Sequence, residues 1–246
     1  MEALTWLEIV YCSFVVVFSY AVRGSAGFGA VTIPLVALVL PMKIVVPVVT
    51  VLGICSSWTI VFRETRFIDM SELKRLLPYS VAGALGGLYL FNAFDAGALA
   101  HGLGALVVTY GSYALWQSVR PTGDWRLPRA MMLPVSGTVA GFVGTLFGAM
   151  AGMFYAIYLD ARRLGKDEFR ATMAATLFAL GIIRGSGYIA LGAFDREALI
   201  ACAFALPLMA VGVVLGNHIH TNLSQTAFRR IVSVVLIASG LPLLLK

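Results

Sequence analysis

Long stretches without a charged residue constrain this chain more than any other feature. Residues 24–42, 44–62, 76–94, 96–119, 130–159 and 198–228 contain no Asp, Glu, Lys or Arg. A membrane-spanning helix needs roughly 20 mainly apolar residues. Six such runs within 246 residues therefore imply an all-α polytopic integral membrane protein. A transmembrane β-barrel would show short segments of alternating hydrophobicity instead. Composition agrees, with 60% hydrophobic and only 12% charged residues, against about 25% charged in soluble domains. These values exclude an ordinary soluble enzyme and a nucleic-acid-binding protein, so no nucleic acid is expected as a partner and a lipid bilayer is. Cys12, Cys55 and Cys202 all fall in apolar segments without Cys-x-x-Cys or Cys/His spacing. They read as small buried residues, and neither a metal nor a cofactor is expected. The start, Met1-Glu2-Ala3-Leu4, lacks the basic n-region of a signal peptide.

The chain repeats itself. Pro78, Gly83 and Gly87 form a P-x4-G-x3-G pattern that recurs at Pro207, Gly212 and Gly216, and Gly111 recurs as Gly240 with the same offset. This order suggests two homologous halves, a first membrane repeat over 1–122 and a second over 123–246, together one transmembrane domain. Lys and Arg accumulate on the cytoplasmic side of membrane proteins. Here they cluster at Arg63–Arg75, Arg120–Arg129, Arg162–Arg170 and Arg229–Arg230, which together hold 13 of the 18 basic residues. Those loops do not correspond under the repeat, and all four face one side only if the halves are inverted, a common transporter architecture. The net charge of +6 is thus mainly an orientation signal. Inversion requires an odd number of crossings per half. Segments 44–62, 73–94 and 97–119, then 169–191, 197–217 and 228–245, supply three each. The openings, 5–41 and 130–159, must then contribute an even number. As one helix the second would be about 45 Å long at 1.5 Å per residue, too long for one span and too short for two. Each opening reads as two short helices joined at a glycine-rich break, either re-entrant or a tight pair of short spans. A single straight helix in each would give eight crossings and parallel repeats, against the charge rule.

The first break is Arg23-Gly24-Ser25-Ala26-Gly27-Phe28-Gly29-Ala30, and the second runs from Gly141 through Gly144 and Gly148 to Gly152. Irregular backbone at membrane depth survives only inside protein or around a watery cavity. A helix beginning after such a break presents free N–H groups and a positive dipole end, so two breaks from inverted halves suit an anion near the midplane. Glycines at this spacing also serve plain helix packing. Arg184 lies well inside a predicted span, where a cation is costly and a functional residue by default, and its planar guanidinium suits oxyanions. The candidate substrate-binding set is Arg184, Arg23, Ser25, Gly27, Gly29, Thr50, Ser57, Gly148, Thr172, Thr176 and Ser186. The hydroxyls can donate to an anion, or bond their own helix backbone. All acidic residues lie near predicted segment ends or loops, Glu8 and Asp160 coming nearest to a membrane interior, so no buried carboxylate suited to a proton relay is expected. No Gly-x-Ser-x-Gly, Walker or His-Glu-x-x-His motif occurs, and no catalytic residues are expected.

Ala26-Gly27-Phe28-Gly29-Ala30 with Pro34-Leu35, and Gly148-Ala149-Met150-Ala151-Gly152, set in two similar halves, resemble the TauE/SafE family of sulfite-exporter-like permeases. Ala149 and Ala151 stand where that family is usually richer in glycine, and Tyr155-Ala156 where a proline is usual. The resemblance implies a secondary transporter in the cell (inner) membrane, in the export direction, for sulfite or a related organosulfonate. The alternative is an anion-selective channel. A coupling proton or sodium ion, and an oligomer, stay open at this stage.

Overall fold

The computed structural model describes residues 5–26, 31–119, 129–218 and 225–245, without the side chains of 23–26, 118–119, 129–130, 217–218 and 225–229. Every regular element among them is helical. In chain order these are α1 (Trp6–Ala26), α2 (Thr32–Val36), α3 (Met42–Glu64), α4 (Met70–Ala93), α5 (Ala96–Val119), α6 (Arg129–Leu146), α7 (Ala151–Ala161), α8 (Lys166–Ala190), α9 (Arg196–His218) and α10 (Gln225–Leu245). The six segments expected as spans after the two openings correspond to α3, α4, α5, α8, α9 and α10, within a few residues. Among the described residues, five helices, α3, α4, α5, α8 and α9, are long and apolar enough to cross a membrane. Shorter apolar stretches occur at Trp6–Val22, Met131–Leu146 and Arg230–Leu245. Trp6, Phe14, Phe62, Tyr89, Trp116 and Phe204 are exposed. Such an apolar exterior suits lipid, where helices satisfy their own backbone polar groups. The chain is a polytopic integral membrane protein.

The repeated glycines mark where helices touch. A Cβ added at Gly83 would lie 2.0 Å from the Thr138 carbonyl oxygen, and one at Gly87 2.8 Å from that of Phe142. Rising numbers along α4 thus meet rising numbers along α6, and the two helices run parallel. The matching pattern in α9 does the same against α1, with Gly212 on Val17 and Gly216 on Ala21. Gly104 packs on Gly240 and Gly111 on Ser233, so α5 and α10 are antiparallel. Gly181 meets Ile54 and Gly185 meets Thr50, so α3 and α8 are antiparallel as well. These close approaches need small residues, because the helices have little else but van der Waals packing to hold them in lipid.

The α6–α7 segment resolves the awkward length of the second opening. The 18 residues of α6 and 11 of α7 measure about 27 and 16 Å. After the break α7 turns back, so that Tyr155 meets Ser80 near the middle of α4 and Tyr158 meets Glu72 near its start. Met132 near the start of α6 and Arg162 after the end of α7 line the same cavity of about 560 Å³. The pair is a re-entrant hairpin, entering and leaving on the face that carries Arg75, Arg162 and Arg163. Among the described residues, three tyrosines, Tyr20, Tyr155 and Tyr188, are the largest fully buried side chains.

Candidate functional site

The turn between α6 and α7 occupies Phe147–Met150. Gly148 adopts φ +72°, and Met150 immediately before α7 adopts φ +69°. A left-handed residue with a side chain costs roughly 1–2 kcal/mol. The break therefore falls where the glycine cluster placed it, but one of its two left-handed positions carries a methionine. Gly148 has no room either: its added Cβ would lie 2.7 Å from Ile33 Cδ1 and 3.2 Å from Val46 Cγ1. Ile33 belongs to α2, which follows the first break, so the second break packs directly against the opening of the other half. At the start of α7 the N–H groups of Ala151 and Gly152 lack intrahelical acceptors by helix geometry.

Arg184 reaches this turn from α8. It is buried, with 9% of its surface exposed, and its Nη1 donates to the Gly144 carbonyl in the last turn of α6. One turn later, the Tyr188 hydroxyl donates to the Thr145 carbonyl. Both partners are carbonyls that a helix leaves unsatisfied at its C-terminus, where a cation also matches the dipole. Arg184 thus holds α6 at its break while bringing a positive charge to the start of α7. It lies roughly 27 Å along α8 from Lys166 at 1.5 Å per residue, past the middle of that helix. Tyr155 and Tyr188 both lie within electrostatic reach of the guanidinium, and Thr50 sits beside the Tyr188 hydroxyl. The Tyr188 ring packs 4.9 Å from that of Phe91. Beyond it Lys43 donates to the Phe91 carbonyl at the end of α4.

The other candidates divide by position. Gly148, Arg184 and Thr50 converge on the break. The Thr50 hydroxyl donates to the Val46 carbonyl, 2.8 Å away. Thr176, fully buried, bonds the Thr172 carbonyl at 2.8 Å. Ser57 is buried in α3. Thr172 is turned to the basic end of the fold, where its hydroxyl accepts the Asp69 N–H at 2.9 Å. Ser186 is exposed on α8 and bonds the Ile183 carbonyl at 2.8 Å. Arg23 and Ser25 fall in the last turns of α1 with side chains outside the described set, and Gly27 and Gly29 lie outside the described residues. Two partners of Arg184 escaped the sequence reading. Tyr188 could have been found from its i, i+4 spacing to Arg184, whereas Tyr155 carries no such signal.

The structure adds one feature to the acids at segment ends. Glu72 is a buried carboxylate, 2% exposed. It accepts from the Tyr158 hydroxyl, from Arg162 Nε at 2.9 Å and Nη2 at 2.6 Å, and from Arg75 at 3.2 Å. In sequence it stands in the first turn of α4 and reads as an interfacial acid. The other half covers it, through residues about 90 positions away.

Comparison with known proteins completes this picture. The sulfite exporter TauE/SafE family model matches residues 11–243. The probable inner membrane transporter protein TsaS of Comamonas testosteroni is 31% identical over 189 residues, 74% of each chain. No solved structure matches. With a family match across nearly the whole chain, on a fold of membrane helices built around a broken hairpin, this protein is a membrane transporter and belongs to the sulfite exporter TauE/SafE family.

Proposed function

We propose that the protein is a secondary transporter exporting a small sulfur-containing anion, such as sulfite or an organosulfonate, across the inner membrane. The observation that carries this reading is Arg184 at the α6–α7 break. A buried guanidinium and the opening amides of α7 meet at one place, and both favour an oxyanion. Gly148 keeps the turn close to α2, so the first break, with Arg23, Ser25, Gly27 and Gly29, would complete the site from the other half. Thr50 stands at its edge. The family description and the printed name of the relative support a transported solute, and the sulfur anion follows the family description.

The two halves, 1–122 and 123–246, act in this reading as inverted repeats with the basic face in the cytoplasm. The antiparallel pairs α3/α8 and α5/α10 support inversion, as do the reciprocal crossings of α4 on α6 and α9 on α1. Alternating access would then rock one repeat against the other around the breaks. Proteoliposome flux tests the reading. Sulfite or sulfoacetate should show saturable uptake and counterflow, with sulfate, carboxylates and chloride as competitors and with or without a proton or sodium gradient. Flux that rises with gradient without saturating, equally fast for chloride, would replace the transporter with a channel.

A further inference from the structure

Charge between the halves is concentrated at one end of the molecule. Both ion pairs that join the two halves among the described residues lie on the basic face. Glu72 of α4 pairs with Arg162 after α7. Glu64 at the end of α3 pairs with Arg170 of α8, whose Nε stands 3.2 Å away. A third tie joins them, from the Asp69 N–H to the Thr172 hydroxyl. Asp69 in turn caps α4, accepting the N–H groups of Ser71 and Glu72. At the opposite face the half-buried Lys43 bonds the carbonyls of Phe91 and Asn92, both within its own half.

From this asymmetry we infer that Glu72 is a positioning residue for transport: it draws the basic end of the α6–α7 hairpin onto α4 and, with the Glu64–Arg170 pair, keeps the basic side of the pathway closed. A buried carboxylate carries a large desolvation cost unless it is paired and hydrogen-bonded. Removing one partner of such a pair is strongly destabilising to that contact. The three donors that Tyr158 and Arg162 present to Glu72 therefore hold α7 where it is. The closed side lies toward Arg162, and the break with Arg184 lies at the far end of the same hairpin, so release of the latch would open a route from the basic face to the break. Tyr155 and Tyr158, on successive turns of α7, would move with it. This inference rests on the transporter reading above.

Accessibility of a buried reporter tests it. Met173 on α8 is 5% exposed and packs with Leu76, Tyr155 and Tyr158, between the ion pairs and the break. With Cys12, Cys55 and Cys202 replaced by Ala, Met173→Cys is treated from the basic face with a charged, membrane-impermeant thiol reagent. Glu72→Gln keeps the shape and removes the charge, and should speed labelling at least about tenfold. Glu64→Arg alone should also speed it, and adding Arg170→Glu should slow it again. Unchanged labelling in Glu72→Gln and Glu64→Arg overturns the latch. If Glu72→Gln fails to fold, the Glu64/Arg170 swap decides, and absence of rescue there overturns it. Sulfite binding to the unsubstituted protein is measured alongside. Unchanged labelling with binding intact rejects the latch alone, whereas absent binding rejects sulfite as the substrate in the proposed function.

Discussion

At the scale of single residues, the molecule separates side chains that meet the break from those that merely occupy membrane helices. Gly148 is held by both conformation and space. Gly148→Ala would force a side chain into the left-handed region, at about 1–2 kcal/mol for the backbone alone, and into Ile33. A lowered midpoint of thermal unfolding in detergent, with weakened sulfite binding, is the expected outcome. Ser186 makes the contrast. Because it is exposed and bonded to its own helix, Ser186→Ala should leave sulfite flux within about twofold of the parent. Arg184 was legible because a buried cation is rare enough in a membrane helix to identify itself. The hydroxyls were not. Thr50, Thr172, Thr176 and Ser186 look alike in sequence, and only packing decides which face of α3 or α8 meets the other half. The burial of Glu72 was not legible for the same reason. Its neighbours in sequence are polar, and its burial comes from Tyr158 and Arg162 of a distant segment.

Among the elements, the re-entrant hairpin and the helices that clamp it matter most. The 30-residue charge-free run signalled that something other than a straight helix was present, since its length fits neither one span nor two. It could not show which way α7 turns, because that depends on Tyr155 and Tyr158 finding Ser80 and Glu72 across 75 and 86 positions. The P-x4-G-x3-G pattern proved informative in an unexpected way. Its glycines identify the helices, α4 and α9, that carry the opening helix of the opposite half. Gly83→Ala should therefore cost about 1–3 kcal/mol by overpacking, since its added Cβ meets backbone atoms of Thr138 and Phe142 that cannot swing aside. Thermal unfolding in detergent checks this. Gly192→Ala provides a comparison, because its added Cβ meets nothing and only its positive φ opposes the change.

For the molecule as a whole, scarcity of charge gave the class, and the placement of charge is the basis of the proposed orientation. Single cysteines introduced at Thr65 and Gly165 should be labelled from one side of the membrane, and those at Asp95 and Gly192 from the other. Parallel repeats would instead place corresponding loops of the two halves, near Thr65 and near Gly192, on the same side. In the proposed reading, inversion would bring two helix breaks together from opposite directions, with Arg184 as the charge that selects an anion there. The most direct test is equilibrium binding of sulfite to the purified protein and to its Arg184→Ala and Arg184→Lys variants, with thermal unfolding confirming each fold. Hydrogen bonds to a charged group contribute about 1.5–3 kcal/mol, so Arg184→Ala should weaken binding roughly tenfold to a hundredfold, with Arg184→Lys between it and the parent. Equal affinity in a folded Arg184→Ala protein would contradict the assignment of this site.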